Sequence, residues 1–465
     1  MVQESAMALE ESTQGRNRAN RIAAILAAST EVFCDEGYAA FAARRVAATV
    51  GLTLSNLQYY FPSKESLLKA TVESFLDGYV QKYRALAQGT SSPQKRLSAL
   101  LDQIFVDVHE TDVPRLIFEA WALSQHDVGV SAVLDRVYDE YRQVFARLLS
   151  EANPDLPQNE CLVRATLLVA QTEGLMIFAF RGGDSDKDNA EVIRTMKRSA
   201  RLLVSLPLQS AAETPSVPGL ESAVESGATA ASEAVSSGAE KGGRLQLTFP
   251  GAASDASHYS RPTKQSLRRA EKMREIISVA ADVLSKEGYG NFSQARVAKL
   301  AGILPSNLQH YFRTHDDLLH ATLHALMTTY LDRYSAISHA SGKPPTVRLD
   351  EIIGDVLEEI CDWQVVGFSF EMFALAQRVE VASELLMRVY RAYREIFVSL
   401  IHEIEPEASS RECYARATLI AATMEGLMAY TRKSGASTPH FEQIERFVRS
   451  FSALIAQGCT DVIAA

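Results

Sequence analysis

The sequence predicts an all-α protein built from two tandem copies of one helical unit. Apolar residues recur at helical spacing through most of the chain, and no stretch alternates for long enough to demand a sheet. Glycines stand where the periodic segments end, as at Gly37 and Gly51, the positions where a helix stop needs a left-handed residue. The second half also repeats the first. Gly37-Tyr38 recurs as Gly288-Tyr289, Val46 as Val297 and Gly51 as Gly302, at a spacing of 251. Farther on, Phe118-Glu119 recurs as Phe370-Glu371, Arg136-Val137-Tyr138 as Arg388-Val389-Tyr390, and Glu173-Gly174-Leu175-Met176 as Glu425-Gly426-Leu427-Met428, now at 252. One inserted residue therefore separates two copies of a unit of roughly two hundred residues, and the similarity runs through the whole unit.

Residues 1–15 are acidic and polar and are expected to form a disordered tail that does not resemble a secretory signal. Residues 17–36 read as an amphipathic helix stopped by Gly37, and 42–50 as a short helix ended by Gly51. The heptapeptide Ser55-Asn56-Leu57-Gln58-Tyr59-Tyr60-Phe61 lies on a third helix. Ser63 is an N-cap candidate for a fourth running to about residue 88. Helical patterns follow at about 93–110, 114–125, 128–151, 159–180 and 187–205, with Gly182-Gly183-Asp184 as a helix stop. Residues 208–263, rich in Ala, Ser, Glu and Gly, read as a flexible linker; about fifty such residues reach roughly 35–42 Å, enough for the two copies to pair within one chain. Residues 245–249 alternate briefly inside it. The second copy repeats the plan. Ser293 caps its second helix, and Thr314 with Asp317 offers a capping box at its fourth that the first copy is expected to lack.

Composition narrows the function classes. The 465 residues are 47 % hydrophobic and 22 % charged, with a net charge of −10, so a generic nucleic-acid coat is excluded but a locally basic reading surface is not. No uninterrupted apolar run approaches a membrane span. The five cysteines, Cys34, Cys161, Cys361, Cys413 and Cys459, are scattered without CxxC or a neighbouring His cluster, a pattern of reduced cytosolic thiols rather than a metal site. No phosphate-binding glycine loop, HExxH or nucleophile–base arrangement points to an enzyme, and no cofactor is implied.

The heptapeptide and its twin, Ser306-Asn307-Leu308-Gln309-His310-Tyr311-Phe312, carry the functional reading. At helical spacing Leu57 and Phe61 face inward, as do Leu308 and Phe312, while Ser55, Asn56, Gln58 and Tyr59 point outward. A short helix anchored by two large apolar residues and exposing amides and hydroxyls suits a DNA major groove, where Asn and Gln pair bidentately with adenine. A core helix with incidental polar residues would require both copies to mislead in the same way.

The run Gly51-Leu52-Thr53-Leu54-Ser55-Asn56-Leu57-Gln58-Tyr59-Tyr60-Phe61-Pro62-Ser63-Lys64, followed by Glu65 and Leu67-Leu68, resembles the DNA-binding domain of the tetracycline-repressor (TetR) family. Each copy looks like a complete member, so the chain resembles a fused form of a protein that is usually a homodimer. The resemblance implies helix-turn-helix domains at 16–62 and 264–313, and helical ligand and dimerisation domains at 63–207 and 314–465. It places Thr53, Leu54, Ser55, Asn56 and Tyr59 toward base edges with Arg44 able to reach one, and Gln58, Tyr60 and Lys64 toward phosphates. In the second copy the base-side positions are Leu304, Pro305, Ser306, Asn307 and His310, and the phosphate-side positions Gln309, Tyr311 and His315. The departures are His315, where the first copy has Lys64, and Ala295, where it has Arg44. They predict that the second head has lost contacts or reads a different half-site.

The same resemblance suggests a ligand cavity near Phe75, Phe105, Phe118, Trp121 and Tyr138, and near Trp363, Phe370 and Tyr390, with Glu119 and Glu371 as polar anchors. Ordinary packing, or a satisfied structural carboxylate, accounts for any one of these residues equally well. Gly174 and Gly426 cost about 1 kcal/mol against Ala in a helix interior. Close helix approach would explain that cost, in an interface carrying Arg164, Met176, Arg416 and Met428; packing inside one copy is the alternative. The expected function is a cytoplasmic, ligand-responsive transcriptional regulator, a repressor, whose copies pair within the chain on double-stranded operator DNA. A further homodimer, a degenerate second copy kept only for pairing, and a small-molecule sensor without DNA binding stay open.

Overall fold

The computed structural model describes residues 2–110, 112–178, 185–206, 264–432 and 435–458. The linker 208–263, its alternating segment 245–249 and the stop at Gly182-Gly183-Asp184 lie outside them. Among the described residues there are helices and no strands. The first unit comprises α1 (Val2–Ala40), α2 (Ala43–Thr49), α3 (Leu54–Tyr60), α4 (Lys64–Ala87), α5 (Pro93–Asp107), α6 (Asp112–Ser124), α7 (Val128–Ala152), α8 (Gln158–Phe178) and α9 (Asp186–Ser205). The second comprises α10 (Lys264–Glu287), α11 (Gln294–Leu300), α12 (Pro305–Gln309), α13 (His315–Ser338), α14 (Pro345–Glu359), α15 (Trp363–Ala376), α16 (Glu380–Ile404), α17 (Ser410–Thr431) and α18 (Phe441–Ala456).

Two expectations need correction. Residues 2–15, expected as a disordered tail, are helical from Val2 onward; their Ala, Met, Leu, Glu and Gln content favours helix over coil. The first copy also has a capping box at α4. Ser63 Oγ accepts from Ser66 N at 3.1 Å and Ser66 Oγ accepts from Ser63 N at 3.0 Å, so a serine hydroxyl does what the Asp317 carboxylate does for Thr314. At the stop after α1's regular turns, Gly37 has φ 70°, the conformation that only glycine adopts at no steric cost.

In each unit one long and two short helices form the head and the remainder a bundle, and one apolar core runs through both units. Helices α8 and α17 cross at their glycines. A Cβ on Gly174 would stand 1.9 Å from the Ala422 carbonyl oxygen, and one on Gly426 would stand 1.8 Å from that of Ala170. Both helices thus read Ala-x-x-x-Gly, and each glycine meets the alanine of the other. Other contacts come in matched pairs: Tyr138 with Tyr430 at 6.1 Å and Tyr390 with Phe178 at 5.5 Å, Arg142 over Tyr430 at 5.5 Å and Arg394 over Phe178 at 5.8 Å. Such reciprocity is the mark of an isologous, two-fold contact. Helix α8 is long and apolar enough to cross a membrane by length and composition, but 94 % of its apolar window is buried inside the protein, as a central core helix requires.

Candidate nucleic-acid interface

In the first head, Gly51 at φ 66° turns the chain after α2, and Thr53 caps α3 by accepting from Asn56 N at 3.2 Å. One of the hydroxyl's two acceptor positions is thereby occupied, and its O–H stays available as a donor. Leu57 is buried with Val46 and Ala47, and this anchor turns Ser55, Asn56, Gln58 and Tyr59 to solvent. Leu54, Tyr60 and Phe61 are half-buried at its flank. Tyr59 is 71 % exposed, packs edge-on against Tyr60 at 5.2 Å, and lies 5.7 Å from the Arg18 guanidinium. Arg44 is exposed, whereas its neighbour Arg45 pairs with Glu36 at 2.9 Å. Lys64 is partly turned back: its ammonium donates to the Tyr38 carbonyl at 3.4 Å and lies 5.9 Å from the Phe41 ring.

The second head keeps the frame and changes the edge. Ser293 caps α11, and Gly302 repeats the φ of 66°. Leu304 stands where Thr53 stands and offers no side-chain cap, a loss of about 1 kcal/mol that Pro305 at the first helical position offsets in part. Helix α12 is shorter than α3 by two residues. Leu308 is fully buried, while Pro305, Ser306, Asn307, Gln309 and His310 are exposed. Arg269, the twin of Arg18, holds the far end of this helix by donating to the His310 carbonyl at 3.0 Å with its guanidinium 5.2 Å from the Tyr311 ring. The His315 ring sits 3.3 Å from the Phe292 carbonyl and 3.1 Å from an Asp316 oxygen, so it is engaged with the protein. Arg296 is held by Glu287 through bonds of 2.8 and 2.6 Å. Its basic charge is therefore spent inside the head.

The bacterial regulatory proteins of the tetR family match this chain twice, at residues 25–71 and 276–322, and the C-terminal domain of BetI-type transcriptional repressors matches residues 93–204. The HTH-type transcriptional regulator BetI of Serratia proteamaculans is 30% identical over 182 residues, covering 38% of this chain and 88% of that protein. BetI of Escherichia coli O17:K52:H18 is 30% identical over 175 residues, covering 37% of this chain and 85% of that protein. The chain belongs to the tetR family. It is a tandem member with two family units and a DNA-binding regulator of transcription. The HTH-type transcriptional activator FasR of Mycolicibacterium smegmatis is 30% identical over 138 residues, 27% of this chain; the chain spans 63% of that relative.

In this tetR-family chain the two expected polar anchors, Glu119 and Glu371, are buried carboxyls with partners inside the protein. Both sit where the heads join the bundles. Glu119 accepts from Tyr38 N at 2.8 Å and from the Arg378 guanidinium of the second unit. Glu371 accepts from Tyr289 N at 3.0 Å and, from the first unit, the Tyr38 hydroxyl at 2.6 Å, with His126 Nε2 at 3.2 Å. Each buried carboxylate thus holds the residue after its own head's helix stop and one or two side chains of the other unit. Burial raises the Glu119 carboxyl to about 7 against the opposing pull of Arg378. Burial and the Glu371 carboxylate push the Tyr38 phenol well above its usual range, which keeps it a proton donor. The signal was present in the recurring Gly-Tyr pair, but nothing local named its partners. Replacing Tyr38 by Phe is expected to lower the unfolding free energy by about 1.5–3 kcal/mol, the range for a bond to a charged group; an unchanged urea midpoint would remove the hydroxyl from this junction.

The aromatic candidates divide. Phe118 packs 5.4 Å from Phe373, and Trp121 4.8 Å from Phe370, so these three expected ligand residues fill the contact between α6 and α15. Trp363 is 55 % exposed at the start of α15. Phe75 and Phe105 are half-buried beside Tyr79 and His109. Tyr138 and Tyr390 are core residues bonded to Glu173 and Glu425 at 2.7 Å each. Among the interface candidates, Gly174 and Gly426 meet the other unit, and Arg164 carries its guanidinium 5.5 Å from the Phe447 ring while donating to the Leu203 and Leu206 carbonyls. Arg416 pairs with Glu405 at 3.1 Å. Met176 is buried in the first core, and Met428 lines a cavity in the second.

Proposed function

We propose that the chain is a ligand-responsive repressor whose two units form an intrachain pseudo-dimer on an imperfect palindromic operator. The observation that carries this is the pair of amide-bearing, outward-facing helices α3 and α12, on one frame but with different edges. A pseudo-dimer sets such helices about one turn of DNA (roughly 34–36 Å) or slightly more apart. Unequal edges call for unequal half-sites, with the first read more strongly. Repression is favoured by the repressor-type C-terminal match over 93–204. A small-molecule effector would release the operator by preferring a bundle arrangement in which the heads no longer fit one duplex. The junction through Glu119 and Glu371 suits that role, since each carboxylate ties a head to both bundles. The protein is a cytosolic regulator in this reading, and two chains can associate further.

A gel shift with the DNA upstream of its own gene, run across salt concentrations, tests the proposal. A specific band that weakens steeply with salt is expected; no specific band sinks the operator reading. The second reading, a degenerate second unit kept for pairing, is favoured by the uncapped α12 and by Ala295 where the first head has the exposed Arg44.

A further inference from the structure

The two bundles differ at one equivalent place. In the first, both buried tyrosine hydroxyls have partners: Trp121 Nε1 donates to the Tyr138 hydroxyl at 2.7 Å, which donates to Glu173 at 2.7 Å. Tyr141 donates to Thr172 Oγ1 at 3.1 Å, and Asp107 receives Lys82 on Oδ1 at 2.8 Å while its Oδ2 has no partner. In the second bundle Phe373 stands for Trp121 and Met424 for Thr172. The indole donor and the hydroxyl acceptor are both gone. Tyr393, the twin of Tyr141, is buried with its hydroxyl unpartnered, an arrangement that a polar group in a dry core does not hold without cause.

That hydroxyl belongs to a cavity of about 80 Å³ lined by Tyr330, Tyr334, Phe368, Tyr390, Tyr393 and the carboxyls of Glu359 and Glu425. Tyr334 donates to Glu359, which also has the Arg333 guanidinium at 3.1 Å on its outer side. Glu425 receives only the Tyr390 hydroxyl at 2.7 Å, and burial raises its carboxyl to about 7 with Glu359 adding to the effect. The pocket therefore offers a buried carboxyl short of a counter-charge, a phenol oxygen short of a donor, and aromatic faces that favour a cation.

Resting on the ligand-responsive reading above, we propose that the second unit carries the effector site and that its ligand is a compact protonated amine. Its N–H groups donate to Glu425 and to the Tyr393 oxygen, and its alkyl part lies against the tyrosine rings. A quaternary ammonium would meet the rings but leave the Tyr393 oxygen unbonded; a neutral alcohol would leave Glu425 without a counter-charge. The first unit, with its polar chain closed by Trp121 and Thr172, does not respond.

The test is calorimetric titration of the full chain with n-butylammonium, tetramethylammonium and 1-butanol. One butylammonium per chain is expected, bound at least about tenfold more tightly than either of the others, a factor equal to one lost charge-assisted bond. Glu425→Gln and Met424→Thr are each expected to weaken it, the second by giving Tyr393 the internal partner that Tyr141 has. Should Glu425→Gln fail to fold by circular dichroism, Met424→Thr decides alone. Equal affinity for 1-butanol, equal affinity for tetramethylammonium, two sites per chain or unaltered binding in the folded variants would overturn the proposal. An operator gel shift runs in parallel. Amine binding without loss of the shifted band keeps the site and removes the ligand-responsive reading. A specific band with no amine binding removes the site and keeps the operator reading.

Discussion

Alanine at both Gly174 and Gly426 is expected to lower the unfolding free energy of the full chain by about 4 kcal/mol or more, seen as a large fall in the urea midpoint. The added methyl groups would stand 1.9 and 1.8 Å from the carbonyl oxygens of Ala422 and Ala170. Those atoms are helix backbone, so relief requires α8 and α17 to separate along their whole crossing. Overpacking of a tight core costs about 1–3 kcal/mol, and more where the obstacle is rigid. Against it stands the helix propensity of Ala over Gly, worth about 1 kcal/mol per site. Gly78 supplies the control. It lies exposed inside α4 with nothing near its missing Cβ, so Gly78→Ala should stabilise by about 1 kcal/mol, the propensity alone. If the double variant matched the parent, the crossing of the two units would not be the tight contact described.

The second large effect is on DNA. Replacing Asn307 and Gln309 by Ala should cost the operator complex at least about tenfold in affinity, and replacing Asn56 and Gln58 should cost about a hundredfold, since a good bidentate base contact is worth about 1–3 kcal/mol. The inequality follows from the heads themselves. Helix α3 has a side-chain cap, an exposed Arg44 and Arg18 beside Tyr59, whereas α12 has neither the cap nor an equivalent of Arg44. The salt dependence should stay nearly the same in both variants, because amides release no counterions. Binding by the Asn307, Gln309 variant equal to that of the parent would reduce the second unit to a pairing partner.

Much of the frame was legible because it is written locally. Leu57 and Leu308 are apolar at the spacing that buries them, and Ser55, Asn56, Ser306 and Asn307 are exposed as that spacing demands. Gly37, Gly51, Gly288 and Gly302 all have the positive φ of a helix stop or tight turn. The capping box at α4 was missed because a serine at its third position is a weaker signal than a carboxylate. The ligand candidates divided for a different reason. Trp363 and Phe370 share a helix and a chemistry with true core residues, and only the neighbour across the unit boundary separates an exposed ring from one packed on Trp121.

By itself, then, the sequence determined that this protein is two all-α copies, each tipped with a helix that shows amides to solvent, because periodicity, caps and glycine stops act within a few residues. The tertiary structure alone decided that Glu119 and Glu371 tie heads to bundles, that Gly174 meets Ala422, and that the Tyr393 hydroxyl has no partner beside Met424, where Tyr141 has Thr172. Those outcomes depend on side chains brought together from helices far apart along the chain, across distances for which local sequence pattern carries no record.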